Sequence, residues 1–296
     1  MGSLPTYLTW GTPHAERAVL VCHSFSADQR AGDSPSGPGW WRALIGPGLA
    51  VDTRSWYVVA SAVPATTRIT DVLEAQDRLR QHLGIERWYL VVGGSLGGLQ
   101  ALNWALGRPE RVNRVVAIAA AHRLAPSGHR HFQQHADAIA ADLHRGGDGR
   151  AALGAAWDAS HGFSGGPASR LQPAGNPTID AATYATRAEL LLGTDLVQTW
   201  GDGDLERAAA RVGASVLLLG YRDDQVFSAN AQRLLAAAIR RQGGWAQERL
   251  LPGNHGHDSF LAEPMTLSPW IASALMPGPW HLPGRRCRPG PTARAA

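Results

Sequence analysis

Ser95 is framed by Gly93 and Gly97 in the run Val91-Val92-Gly93-Gly94-Ser95-Leu96-Gly97-Gly98, where an apolar β-type stretch passes directly into a helical pattern. A serine on so tight a strand-to-helix turn has its hydroxyl pushed out of the sheet, the geometry of a nucleophile elbow. The two glycines then read as steric requirements, because a side chain two positions before or after the serine would collide where strand and helix pass closely. A helix opening at Leu96 also turns its unpaired N–H groups and positive dipole end toward the spot where an oxyanion would form. Leu99, Leu102, Ala105 and Leu106 supply the helical period behind it. The bland alternative is a glycine-rich turn carrying an exposed serine.

A serine hydroxyl is a poor nucleophile at neutral pH, so such a site needs a histidine to take its proton and a carboxylate to hold that histidine. Chain order places the acid after a strand beyond the elbow and the histidine after the last strand. The run Val216–Tyr221 ends at Arg222-Asp223-Asp224, and Asp223 and Asp224 compete for the acid's role; alternation along extended backbone lets only one face the site. The final β pattern, Ala246–Leu251, leads to His255 and His257. His257 is preferred because it directly precedes a helical start that Asp258 or Ser259 can cap. The second oxyanion donor, beside the N–H of Leu96, is expected from the loop after Val19–His23. Phe25 is chosen there, with Ser24 as the neighbouring alternative, and His23 is read as a brace of that loop.

These residues require a frame. Apolar runs of strand length recur at Ala18–Phe25, Trp56–Ala62, Trp88–Gly94, Val112–Ala121 and Ser215–Tyr221. Helical patterns fall between them: one capped by Thr70 or Asp71 and running through Leu83, one over Leu96–Leu106, and one over Ala229–Arg241. This alternation predicts an α/β fold, a mostly parallel sheet with helices on both faces and ligands gathered beyond the carboxyl ends of its strands. Between His122 and Glu206 the rhythm breaks into helical fragments and Gly/Pro-rich pieces, read as an inserted helical cap. The expected organisation is a core over residues 1–121, a cap over 122–206, a second core segment over 207–276 and a flexible tail over 277–296.

Composition narrows the chemistry. In 296 residues with 44% apolar content there is ample material for a core. All 28 basic residues are arginine, so Schiff-base and pyridoxal-phosphate chemistry, which need a lysine, are excluded. The net charge of +4 comes with no aromatic-interleaved basic motif, so no nucleic-acid partner is expected. Nor is there a run long enough to cross a bilayer or a secretory signal, which makes a soluble cytoplasmic protein the default reading. Cys22 and Cys287 are poorly placed to pair. His129, His131 and His135 lack the cysteine or carboxylate companions of a zinc site, so no metal is expected.

The elbow stretch through Leu99-Gln100-Ala101-Leu102-Asn103-Trp104-Ala105 resembles the homoserine O-acetyltransferase family, acyl-CoA-dependent members of the α/β-hydrolase fold. So do Gly39-Trp40-Trp41, Leu44-Ile45-Gly46-Pro47-Gly48, Asp71-Val72-Leu73-Glu74-Ala75-Gln76, Gly203-Asp204-Leu205-Glu206 and Gly256-His257-Asp258-Ser259-Phe260-Leu261. The resemblance implies an α/β-hydrolase fold with an inserted cap, and Ser95, Asp224 and His257 as nucleophile, acid and base. It further implies Asp258 as the partner of a substrate amine, and acetyl-CoA or another acyl-CoA as co-substrate with no bound cofactor.

Two departures bear on substrate. The bridge between Ala62 and Thr70 is shorter than the family's, and the arginine that grips a substrate carboxylate aligns with Asp137, which argues against homoserine as acceptor. Arg123, near the cap entrance with His129, Arg130 and His131, is the cation offered to an anionic substrate or to coenzyme A phosphates; a solvated helical face is the blander reading. Pairing through cap helices is common in the family and implies a homodimer, with the Gly/Pro interruptions of this cap counting against it. The expected function is therefore acyl transfer to a hydroxyl acceptor. The alternatives are an esterase or an acyl-eliminating enzyme of specialised metabolism using the same three residues.

Overall fold

The computed structural model describes residues 3–163, 179–278 and 280. In chain order it begins with β1 (Tyr7–Trp10), β2 (Ala18–Cys22), β3 (Ile45–Gly46), β4 (Val51–Asp52), β5 (Tyr57–Ser61), α1 (Ile69–His82), β6 (Trp88–Gly94), α2 (Leu96–Gly107) and β7 (Val112–Ile118). Five helices follow: α3 (Pro126–His144), α4 (Arg150–Phe163), α5 (Ala181–Leu192), α6 (Leu196–Gly201) and α7 (Leu205–Ala209). The chain then returns through β8 (Ser215–Tyr221), α8 (Ala229–Arg241), β9 (Ala246–Leu251), α9 (Ser259–Ala262) and α10 (Ser268–Leu275).

The main sheet has seven strands in the order β1-β5-β2-β6-β7-β8-β9, with β3 and β4 forming a separate pair. Only β1 runs antiparallel, along the edge of β5. Because neighbouring side chains on a strand point to opposite faces, β2 divides its residues between two cores. Leu20 and Cys22 join the cluster of α1, α2 and α8, whereas Val19 and Val21 join the cluster of α10. Burial on both faces explains why β2, β5 and most of β6 and β7 read as continuous apolar runs. β6, which carries the elbow, is the middle strand.

Several boundaries differ from expectation. Helix α1 starts at Ile69 with Arg68 at the N-cap and no side-chain cap. Thr66, not Thr70, organises this end: its Oγ accepts from the Arg68 N–H and donates to Asp71. The expected tail begins at 277, but Arg114 donates to the carbonyls of Ala274, Met276 and Gly278. Trp280 is buried, stacked on Trp245 with ring centroids 4.9 Å apart. The rest of that tail, 281–296, lies outside the described residues. Among the described residues no helix is long and apolar enough to cross a membrane.

A buried polar chain ties α1 and α2 to the loop after β2. The Trp104 indole donates to Gln76 Oε1 at 2.8 Å, the Gln76 amide to Gln100 Oε1 at 2.8 Å, and the Gln100 amide to the His23 carbonyl at 3.1 Å. Leucine at 76 would strand a buried indole N–H and a buried amide oxygen. Gln76→Leu is therefore expected to lower unfolding free energy by roughly 2–5 kcal/mol in urea titrations; an unchanged midpoint would show that the chain of amides carries no stability.

Candidate active site

Ser95 lies between β6 and α2 with φ 58° and ψ −122°, a backbone conformation that costs a non-glycine residue of order 1–3 kcal/mol. Its neighbours hold it there. The Ser95 N–H donates to the Ile118 carbonyl of β7 at 2.9 Å, and its carbonyl accepts from the Leu99 N–H at 3.0 Å. A Cβ on Gly97 would lie 2.1 Å from the Cys22 carbonyl oxygen, and one on Gly93 would lie 2.6 Å from that oxygen and from the Gly97 carbonyl. The glycine spacing thus lets α2 start directly against the end of β2.

The structure brings Ser95, His257 and Asp224 into one line. Ser95 Oγ is 2.8 Å from His257 Nε2, and His257 Nδ1 is 2.9 Å from Asp224 Oδ2. The other carboxylate oxygen of Asp224 accepts from the N–H groups of Val226 at 2.8 Å and Phe227 at 2.9 Å, which fixes the direction in which the carboxylate faces the ring. An acceptor at Nδ1 makes that nitrogen the protonated one, so Nε2 has a lone pair free for the serine proton. Burial alone pushes the His257 pKa down, but the Asp224 charge and hydrogen bond, with help from Asp258, outweigh it and raise the value above 6.5. Asp223 is exposed, and His255 turns to Glu263, with Nε2 3.3 Å from its carboxylate.

Gly94, to which the sequence reading gave no role, has a steric one. A Cβ there would meet the Phe260 ring at 2.4 Å, so the missing side chain lets α9 and the preceding turn seat against the elbow and carry His257 in with them. Its signal was a second glycine inside the motif, with no partner visible in the sequence.

Leu96 opens α2, where the first N–H groups have no intrahelical acceptor. Phe25 lies in the loop after β2, its ring against Phe132 of α3 at 5.1 Å and Tyr184 of α5 at 5.0 Å. His23 braces this loop. Its Nε2 accepts from the Val63 N–H at 2.9 Å, which leaves Nδ1 to donate to the Ser24 carbonyl at 2.8 Å. Burial, then the nearby Arg187 charge, push the His23 pKa down to about 4, so the ring stays neutral.

Arg123 is not brought to this line. It pairs with Asp195 at 3.1 Å in a cavity of about 480 Å³ whose lining includes none of Ser95, Asp224 and His257. Asp137 is exposed on α3 and accepts from Gln133 at 2.8 Å. Asp258 follows His257 in a single 3₁₀ turn, Gly256–Asp258, close enough to act on the imidazole electrostatically. His131 stacks on Phe163 at 4.2 Å and lies 3.0 Å from Ser160 Oγ. Among the described residues no group of three His, Cys, Asp or Glu side chains is arranged to hold a metal ion.

A family model described as alpha/beta hydrolase fold matches residues 17–264. The chain is 30% identical to a homoserine O-succinyltransferase of Laribacter hongkongensis over 90% of its own length and 87% of that relative. It is 29% identical to a homoserine O-acetyltransferase of Geobacter sulfurreducens, covering 91% of this chain and 90% of that one. Among solved structures, an acetylester hydrolase from Corynebacterium glutamicum superposes with a TM-score of 0.76 at 22% identity, over 91% of this chain and 89% of that chain; this likeness bears on the fold alone.

The electrostatics give a signed test. In an NMR titration the His257 ring is expected to change charge above pH 6.5, the ordinary value. In Asp224→Asn, where burial acts without the carboxylate, the midpoint is expected below that value. A midpoint that Asp224→Asn leaves in place would contradict the pairing.

Proposed function

The chain belongs to the α/β-hydrolase fold family, in its homoserine O-acyltransferase-like branch, and we propose that it is a serine-nucleophile enzyme moving an acyl group from a coenzyme A thioester to a hydroxyl acceptor. The reading rests above all on the hydrogen-bonded line from Ser95 through His257 to Asp224. Support for the donor comes from relatives named homoserine O-succinyltransferase and homoserine O-acetyltransferase along nearly their whole length.

In this mechanism His257 Nε2 takes the Ser95 proton as Oγ attacks the thioester carbonyl. The carbonyl oxygen becomes an oxyanion, facing the N–H groups of Leu96 and Phe25 and the positive end of α2. The tetrahedral intermediate collapses by breaking the carbon–sulfur bond, and the departing thiolate takes the proton back from the imidazolium. An ester on Ser95 remains. His257 then deprotonates the acceptor hydroxyl, which attacks the ester, and returns the proton to Ser95 as the product leaves. Asp224 stabilises the imidazolium in both halves and fixes the tautomer. Asp258, beside the imidazole, is the group offered to a cationic acceptor.

Hydrolysis is the second reading, with water as acceptor. It is favoured by the short bridge between Ala62 and Thr70, since transfer depends on keeping water from the acyl-enzyme.

Thiol release from acetyl-CoA, followed with and without a panel of hydroxylated acceptors, separates the two. Transfer is expected to show as acceptor-dependent release with ping-pong kinetics; rapid cleavage of aryl esters with no response to the thioester would overturn it. Ser95→Ala is expected to lower the rate by at least about 10⁴-fold, and turnover at the wild-type rate would refute the nucleophile.

A further inference from the structure

Arg187 is a buried cation on the cap whose only described hydrogen bonds go to main-chain carbonyls. It stands on α5, one turn after Tyr184, with 9% of its surface exposed. Nη1 donates to the carbonyl of Phe25 and, at 2.9 Å, to that of Ala27. Asp28 and Asp180 lie close enough to act on its charge, yet among the described residues none makes an ion pair with it. The residues outside the description, 1–2, 164–178, 279 and 281–296, contain no aspartate or glutamate, so no acidic side chain there supplies a counter-charge. A guanidinium so buried, and protonated at any working pH, is costly unless negative potential reaches it.

Asp28 and Asp180 supply part of that potential, and the carbonyls that meet the guanidinium directly come from one loop. The Phe25 N–H shares one rigid peptide plane with the Ser24 carbonyl, so it keeps its aim while that plane and the chain on either side of it are held, and around Phe25 these are held by different hands. His23 holds the plane between Ser24 and Phe25 through the Ser24 carbonyl, which also accepts from the Ala27 N–H at 3.3 Å. Gln100 holds the His23 carbonyl one plane earlier. Among the described residues it is Arg187, reaching from the cap, that holds the carbonyls of Phe25 and Ala27. The Phe25 ring is gripped from the same side by Phe132 and Tyr184.

We propose that Arg187 is a positioning residue for the oxyanion loop, a guanidinium clamp that keeps the Phe25 N–H aimed at the carbonyl under attack by Ser95. The inference rests on the reading of Phe25 as an oxyanion donor. It makes the inserted helices part of the reaction frame and not a cover alone. It also accounts for arginine at this position, because two N–H groups on one planar nitrogen span two carbonyls at once and the charge strengthens both bonds.

The test is steady-state kinetics of wild type, Ser95→Ala, Arg187→Ala and Arg187→Lys, on acetyl-CoA with acceptor or on an aryl acetate, whichever the wild type turns over. A loop displaced by an ångström costs on the order of 10²-fold, so Arg187→Ala is expected to lose about that factor in kcat with KM little moved. Guanidinium ion, well below denaturing concentration, is expected to restore part of the loss, and sodium chloride at equal ionic strength is not. Should Arg187→Ala fail to fold, Arg187→Lys carries the test, with a lowered kcat and an unmoved KM. Full kcat in the Arg187 variants, a loss confined to KM, or a loss in Arg187→Ala that guanidinium leaves untouched would overturn the role of Arg187 while Ser95→Ala is dead. A Ser95→Ala variant as active as wild type would sink the reading of the site itself, and the clamp with it.

Discussion

The close approach of α2 to the end of β2 is the constraint on which the rest of the molecule depends. The start of a helix is laid against the Cys22 carbonyl of a neighbouring strand, a contact that even one methyl group on Gly97 would block. Satisfying it forces Ser95 into positive φ, and the bond from its N–H to Ile118 holds the bend from the other side. A seven-stranded sheet with cores on both faces supplies the rigidity, since the strained residue sits at its middle strand with packed strands on either hand. Position and exposure of the hydroxyl follow from backbone geometry before any partner is considered.

Around that bend, two buried imidazoles are set apart by the charges beside them. Burial pushes both rings toward the neutral form; at His23 the Arg187 charge adds to that push, whereas at His257 the Asp224 carboxylate outweighs it, so His257 is biased toward protonation and His23 away from it. Two imidazoles of one chemical type are thereby assigned a proton carrier's environment and a hydrogen-bonding strut's environment. Main-chain groups complete the assignment: two N–H groups orient Asp224 and one fixes the tautomer of His23. The arrangement keeps an imidazole in hydrogen-bond reach of Ser95 apart from a neutral brace.

Much of this was legible in the residues. The elbow announces itself because steric necessity writes glycine at fixed offsets from serine, and α8 and β9 fall where their periodicity puts them. His257 could be preferred over His255 from its place before a helical start, whereas Asp224 could be separated from Asp223 only with the help of the family resemblance; in the structure each rejected candidate is exposed or occupied elsewhere. What stayed hidden shares a cause. Arg187 bonds to carbonyls some 160 positions away, and a main-chain acceptor leaves no complementary letter to pair it with. Gly94 is explained by Phe260, likewise distant in sequence. The edge strand β1 is four residues long and lacks a sustained pattern. Gly278 and Trp280 look like linker composition until Arg114 is seen to hold the one and Trp245 to stack on the other.

On the function proposed, Ser95 carries the acyl group between donor and acceptor. Intact-mass measurement of the protein after exposure to acetyl-CoA without acceptor, followed by peptide mapping, addresses it most directly. The expected result is a single acetyl group per chain on the peptide containing Ser95, discharged when an acceptor or time is allowed. An acetyl group found on another residue, or steady thioester turnover with no adduct at Ser95 even on rapid quenching, would contradict it.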